Sequence, residues 1–139
     1  EKLAWELEVL EFAVSVHPVA LLRSLHPGNR WQRVGDLGER VGRRVTVAGV
    51  VRTAKRTQTR QGQAMKFVTL EDETGLIDAV FFPVAYQRWG AILPHSRYLA
   101  VTGRVQGDSG SLTITAEKVA GLRMPKRPTA GVDTAVVFR

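Results

Sequence analysis

The residues predict a mainly β domain, a small five-stranded Greek-key barrel with one helix between its third and fourth strands, preceded by a short helical segment. Two observations carry this reading. From Val45 onward the hydrophobic residues fall into five short runs with period-two alternation, separated by Gly, Pro and polar turn residues. One helical run, Val84 to Leu93, interrupts them between Pro83 and Pro94. A chain of 139 residues, 44% of them hydrophobic, suffices for one core with an extension and is short for two.

Along the chain, Leu3, Leu7, Leu10 and Val14 recur at the spacing of an amphipathic helix over Glu1 to about Ser15. His17-Pro18 breaks it, because a residue before proline is pushed out of the helical region, and Val19 to Leu25 can form a second short helical turn. Residues 1–42 read as a helical segment and linker, 43–122 as the barrel, and 123–139, with Pro125 and Pro128, as a loosely ordered tail or linker. The start at Glu1 inside a helical pattern suggests a piece of a longer protein.

The first strand begins at Val45, and Gly49 in its middle marks a bend that lets one strand serve both halves of a barrel. Thr57 to Gln63 reads as a polar loop, Met65 to Glu71 as strand two, and Glu73-Thr74-Gly75 as a turn. Leu76 to Phe82 reads as strand three, and Pro83 stops it. In the helix, Val84, Trp89 and Ile92 are available for an inner face. Strand four, Tyr98 to Gln106, puts Leu99, Val101 and Val105 on one parity, and strand five, Leu112 to Val119, offers Leu112, Ile114 and Ala116 inward. This order is that of the oligonucleotide-binding (OB) fold, which binds nucleic acid on the face of strands two and three and on the loops joining strands one to two and four to five.

Charge agrees with that reading. The chain has 20 Lys and Arg against 13 Asp and Glu, a net charge of +7, which favours a polyanionic partner. Between Val41 and Lys66 there is no acidic residue, so Arg52, Lys55, Arg56 and Arg60 line the end of strand one and the first binding loop, and Lys66 opens strand two. Such a stripe tracks a phosphate backbone. If Val68 and Leu70 face the core, Phe67 and Thr69 face outward, and an outward Phe is a platform for base stacking. Phe81 and Phe82 are adjacent, so one faces in and one out, and Phe82 is the choice for outward. Arg104 and Gln106 share the outer parity of strand four near the second binding loop.

Several other chemistries lose support. Cysteine is absent, which excludes disulfides, thiolate nucleophiles and Cys-based zinc sites. Gly107-Asp108-Ser109-Gly110-Ser111 resembles a protease nucleophile loop, but these are the residues a turn between two strands needs. Glu71, Asp72 and Glu73 read as solvated turn carboxylates rather than a metal site. No phosphate-cradling Gly-rich loop is visible. The reading is a non-enzymatic binding domain without cofactor or metal. No stretch reaches the roughly 18 apolar residues of a membrane span and no signal peptide is visible, so a cytoplasmic protein with no membrane partner is expected.

Two blocks of residues resemble a known family, the C-terminal region of the bacterial DNA polymerase III alpha subunit, including its error-prone relatives. Glu1-Lys2-Leu3-Ala4-Trp5-Glu6 with Val14-Ser15-Val16-His17-Pro18 is similar to the helix and Ser-Gly-His-Pro stretch that precedes the OB domain there. Gly42 to Val51, Met65 to Gly75 and Val80-Phe81-Phe82-Pro83 look like its first three OB strands. The resemblance runs from Glu1 to about Leu122 and departs from the family at Val16 and Glu11, where Gly is usual or frequent. It implies a module that guides single-stranded template DNA near a polymerase core and meets other domains or subunits of that assembly. The parent would be a nucleotidyltransferase with its catalytic carboxylates elsewhere. Two alternatives stand beside it. One is the anticodon-binding barrel of an aminoacyl-tRNA synthetase, in which a Phe at the place of Phe67 stacks a base, although Glu71 replaces the Arg of that pattern. The other is a protein-docking module within a replication assembly.

Overall fold

The computed structural model describes residues 17–125, so the expected first helix over Glu1–Ser15 and most of the expected tail lie outside the described residues. The five strands are β1 (Arg44–Gln58), β2 (Ala64–Asp72), β3 (Gly75–Phe81), β4 (Tyr98–Asp108) and β5 (Ser111–Leu122), closed into a barrel in the order β1-β2-β3-β5-β4. All neighbours are antiparallel except β3 and β5, which run parallel. Helix α1 (Pro18–Leu25) precedes the barrel, and α2 (Pro83–Trp89), extended by a 3-10 turn over Gly90–His95, lies between β3 and β4. This is the OB architecture that the strand order predicts.

The interior is built from the alternating positions. Val45 and Val47 of β1, Val68 and Leu70 of β2, Ile77, Ala79 and Phe81 of β3, Leu99, Val101 and Val105 of β4, and Ile114 and Ala116 of β5 form one buried cluster. Leu112 packs against its margin. From α2 and the following turn, Ala85, Tyr86, Trp89 and Ile92 cover one end, while Val84 stays 79% exposed. Val84 therefore does not belong to the inner face expected for it. Pro83 takes the first helical turn, which points the next residue away from the barrel and brings Ala85 and Tyr86 onto it.

Gly49 sits where β1 changes partners. Arg44 to Val50 pair with β4, and from Val50 the strand pairs with β2. A Cβ at Gly49 would stand 2.9 Å from the Leu70 Cβ, so only glycine permits this crossing. The bulge lies slightly farther on, between Val51 and Thr53.

Beyond that bulge β1 continues to Gln58, paired with β2 as far as Ala64. The loop expected at Thr57 is thus shorter: Thr59 and Gln63 close it by a backbone hydrogen bond of 2.9 Å, and Gly62 takes a positive φ of 83° within it. Arg52, Lys55 and Arg56 are strand residues, and only Arg60 lies in the loop. The far part of β1 is exposed on nearly every residue, so no apolar alternation marks it in the sequence.

The stretch before β1 is tied to the barrel. His17 caps α1, its Nδ1 accepting from the Val19 N–H at 3.1 Å, with Pro18 in the first turn. Val19 packs on the outward-facing Ala48 and Val50, with Trp31, Tyr98 and Leu122 around them. Val34 and Leu37, from a 3-10 turn over Val34–Glu39, enter the barrel core.

Asp72 holds these parts together and corrects the reading of the acidic cluster as solvated. Only 1% exposed, it accepts from the Val34 N–H at 2.9 Å and from the Thr74 N–H and hydroxyl, both at 2.7 Å. Arg23 of α1 approaches it at 3.4 Å and pairs with Glu73. Partial burial pushes the Glu73 carboxyl up, but its hydrogen bonds from Arg23 and the backbone, with the Arg23 charge, outweigh this and leave it below the ordinary carboxylate value.

Candidate nucleic-acid interface

On the outer face of β1, β2 and β3 the residues expected of a stacking platform come together. Val68 and Leu70 are buried, so Phe67 and Thr69 turn outward and are half-buried among their neighbours. Cross-strand pairing places Lys55 opposite Phe67 and Phe67 opposite Val80. The next row aligns Thr53, Thr69 and Asp78, with the Thr69 hydroxyl donating to Asp78 Oδ1 at 2.6 Å. Together Thr53, Lys55, Thr57, Phe67, Thr69 and Asp78 line a shallow depression of about 300 Å3. It offers an aromatic ring for a base, an ammonium for a phosphate, and hydroxyl and carboxylate oxygens for base edges.

The expected site residues are not all on this face. Arg56 pairs with Lys66 and Lys66 with Phe81, so these two cations share the inward parity at the barrel end, beside the platform rather than on it. Arg60 stands at the hairpin tip. Among the described residues Lys55, Arg56, Arg60 and Lys66 have no acidic partner, whereas Arg52 is held by Glu71 in an ion pair and is less available to a phosphate. Phe82 is 47% exposed while Phe81 is fully buried, which resolves the adjacent pair in the expected direction.

Arg104 and Gln106 lie farther round the barrel. Arg104 connects to Phe67 through Thr115 and Val80, three strand crossings and about 14 Å away at the usual interstrand spacing. Its guanidinium donates to the Gly42 carbonyl at 2.8 Å. Gln106 is opposite Thr113, which in turn is opposite Asp78. Sequence reasoning missed Thr53, Thr57 and Asp78, because their place beside Phe67 depends on the bulge in β1 and on cross-strand register.

A nucleic-acid-binding barrel is the class that this fold and face define. Residues 45–120 match the family of OB-fold nucleic acid binding domains, and the chain belongs to it. Among curated proteins, it is 35% identical over 126 residues to the DNA polymerase III subunit alpha of Halalkalibacterium halodurans, covering 88% of this chain and 11% of that protein. It is 34% identical over 119 residues to the error-prone DNA polymerase of Mesorhizobium japonicum, covering 81% and 10%. The error-prone DNA polymerase of Ruegeria pomeroyi is 34% identical over 137 residues, covering 93% and 12%. The chain therefore matches a small OB portion of these polymerases and spans about a tenth of their length. Among solved structures, asparaginyl-tRNA synthetase from Pyrococcus horikoshii complexed with asparaginyl-adenylate aligns with a TM-score of 0.51 at 20% identity, covering 69% of this chain and 23% of that one, a likeness of fold. Among the described residues no helix is long and apolar enough to cross a membrane.

Proposed function

We propose that this domain holds single-stranded DNA, as the template-guiding OB module of a polymerase of the DNA polymerase III alpha or error-prone type acting in the cytoplasm. The observation that carries the proposal is the cross-strand row of Lys55, Phe67 and Val80, an outward ring flanked by a free cation. Phe67 stacks a base, with Phe82 as a second exposed ring. Lys55, Arg56, Arg60 and Lys66 take the phosphates, and Arg52 joins them when a phosphate displaces Glu71. Thr69 with Asp78 meets base edges, and Arg104 and Gln106 contact a strand that continues round the barrel. Other domains or subunits of the polymerase assembly are the protein partners in this reading, and the chemistry of nucleotide transfer belongs to the rest of such a parent.

A stacked base is worth about 1–3 kcal/mol, roughly 5- to 150-fold in affinity. Fluorescence anisotropy with labelled single-stranded DNA, duplex DNA and RNA of equal length, at two salt concentrations, tests the proposal. The expected order is single-stranded DNA tightest, weakened by salt, with Phe67→Ala losing affinity in that range. Tighter binding of RNA would move the reading to an anticodon-type barrel. No binding of any of the three at low salt would leave a protein-docking module.

A further inference from the structure

Where β1 meets β4, away from Phe67, the barrel carries a second open depression of about 320 Å3, lined by Arg30, Arg40, Arg43, Arg44, Thr46 and Thr102 among others, none of them acidic. Its cations come from different parts of the chain. Arg30 follows α1, Arg40 ends the 3-10 turn over Val34–Glu39, Arg43 directly precedes β1 and Arg44 opens it. Arg44 is held by Glu117 at 2.8 Å. Among the described residues the side chains of Arg30, Arg40 and Arg43 have no acceptor. The Thr46 and Thr102 hydroxyls meet at 2.8 Å beneath them.

Four guanidiniums gathered round one depression repel one another, and a single carboxylate does not offset them. A phosphodiester does so well, because the planar fork of arginine matches two phosphate oxygens and the hydroxyls add neutral hydrogen bonds. Among the described residues no aromatic ring lines the depression, so its chemistry suits a backbone and not the stacking of bases.

We propose that this depression is a second phosphodiester site, one that holds the same single strand beyond the stretch stacked on Phe67. This inference rests on the nucleic-acid reading above. Strand β1 links the two places: Arg44 faces the depression and Lys55 the platform, on a strand that bends at Gly49 and bulges before Thr53, so they lie less than about 36 Å apart. A short oligonucleotide therefore occupies one place and a long one both.

The test compares a strand of about 4 nucleotides, the low end of the footprint of one OB fold, with one several times longer. Each is titrated over a range of salt against the native chain, Arg30→Ala/Arg40→Ala/Arg43→Ala, the corresponding triple lysine variant, and Phe67→Ala. Thermal melting confirms that each variant is folded. The triple alanine variant is expected to bind the short strand within about twofold of native, and to bind the long strand with a slope of log K on log salt smaller by about 2, since each neutralised phosphate contributes about 0.7. The lysine variant keeps the native slope, because the slope counts charge. An unchanged slope in the triple alanine variant overturns the inference, as does an equal loss on short and long strands, which would mean a diffuse field and no site. Phe67→Ala decides the stacking platform separately: an unaffected short strand removes that reading while the slope comparison still decides the depression. If the native chain binds neither strand, both readings fall.

Discussion

Asp72 is a carboxylate with almost no access to water, and its partners explain why it is tolerated there. The oxygens accept from Val34, Thr74 and Gly75 backbone N–H groups and the Thr74 hydroxyl, with Arg23 nearby. Removing a buried charge strands those donors and leaves Arg23 with less counter-charge. Asp72→Ala is expected to lower stability by about 3 kcal/mol or more, read as a shift in the urea midpoint at unchanged slope. A loss below 1 kcal/mol would mean that the turn and the N-terminal segment are held mainly by other contacts. The sequence displays Glu71, Asp72 and Glu73 as three adjacent carboxylates, and nothing local separates the buried one from its neighbours. What buries Asp72 is Val34 and Arg23, which lie 38 and 49 residues away. Phe67 is the opposite case. Its outward face is legible from Val68 and Leu70 alone, because strand parity is a local property.

Among the elements, the most constrained crossing is that of β4 and β5. Their register shifts between Thr102 and Gly103, so that Thr102 faces Lys118 and Gly103 faces Ala116, leaving Glu117 over in β5. Glu117 is the residue that reaches Arg44. A Cβ at Gly103 would come within 2.1 Å of the Thr115 carbonyl oxygen, which belongs to the backbone and cannot swing aside. Gly103→Ala should therefore cost about 1–3 kcal/mol by forcing the two strands apart, seen as a lowered melting temperature. A variant with native stability would show that the ladder relaxes there without loss. The five strands and the helix between the third and fourth were legible because each buries one face. The outer half of β1 was not, because Arg52 to Gln58 bury neither face and a paired arm without a core has no hydrophobic period. Bulges were equally hidden, since an extra residue such as Glu117 is defined only by its partner strand.

For the molecule as a whole, charge and topology act together. Basic residues gather at two places, the hairpin arm beside Phe67 and the arginine depression at the β1–β4 junction, both served by one long strand. The charge excess was readable from composition, and so was the acid-free run from Val41 to Lys66. Its division was not, since Arg30 and Arg40 join Arg43 and Arg44 only after the segment before β1 folds onto the barrel.

Whether nucleic acid lies on the outer face of β1, β2 and β3 is decided by amide chemical-shift mapping on the isotope-labelled chain titrated with a short oligothymidylate. The largest shifts are expected at Lys55, Phe67, Thr69 and Asp78 and along the hairpin arm, with α2 little changed. Shifts confined to α2 or to the surface of α1, with the Phe67 row unmoved, would contradict it.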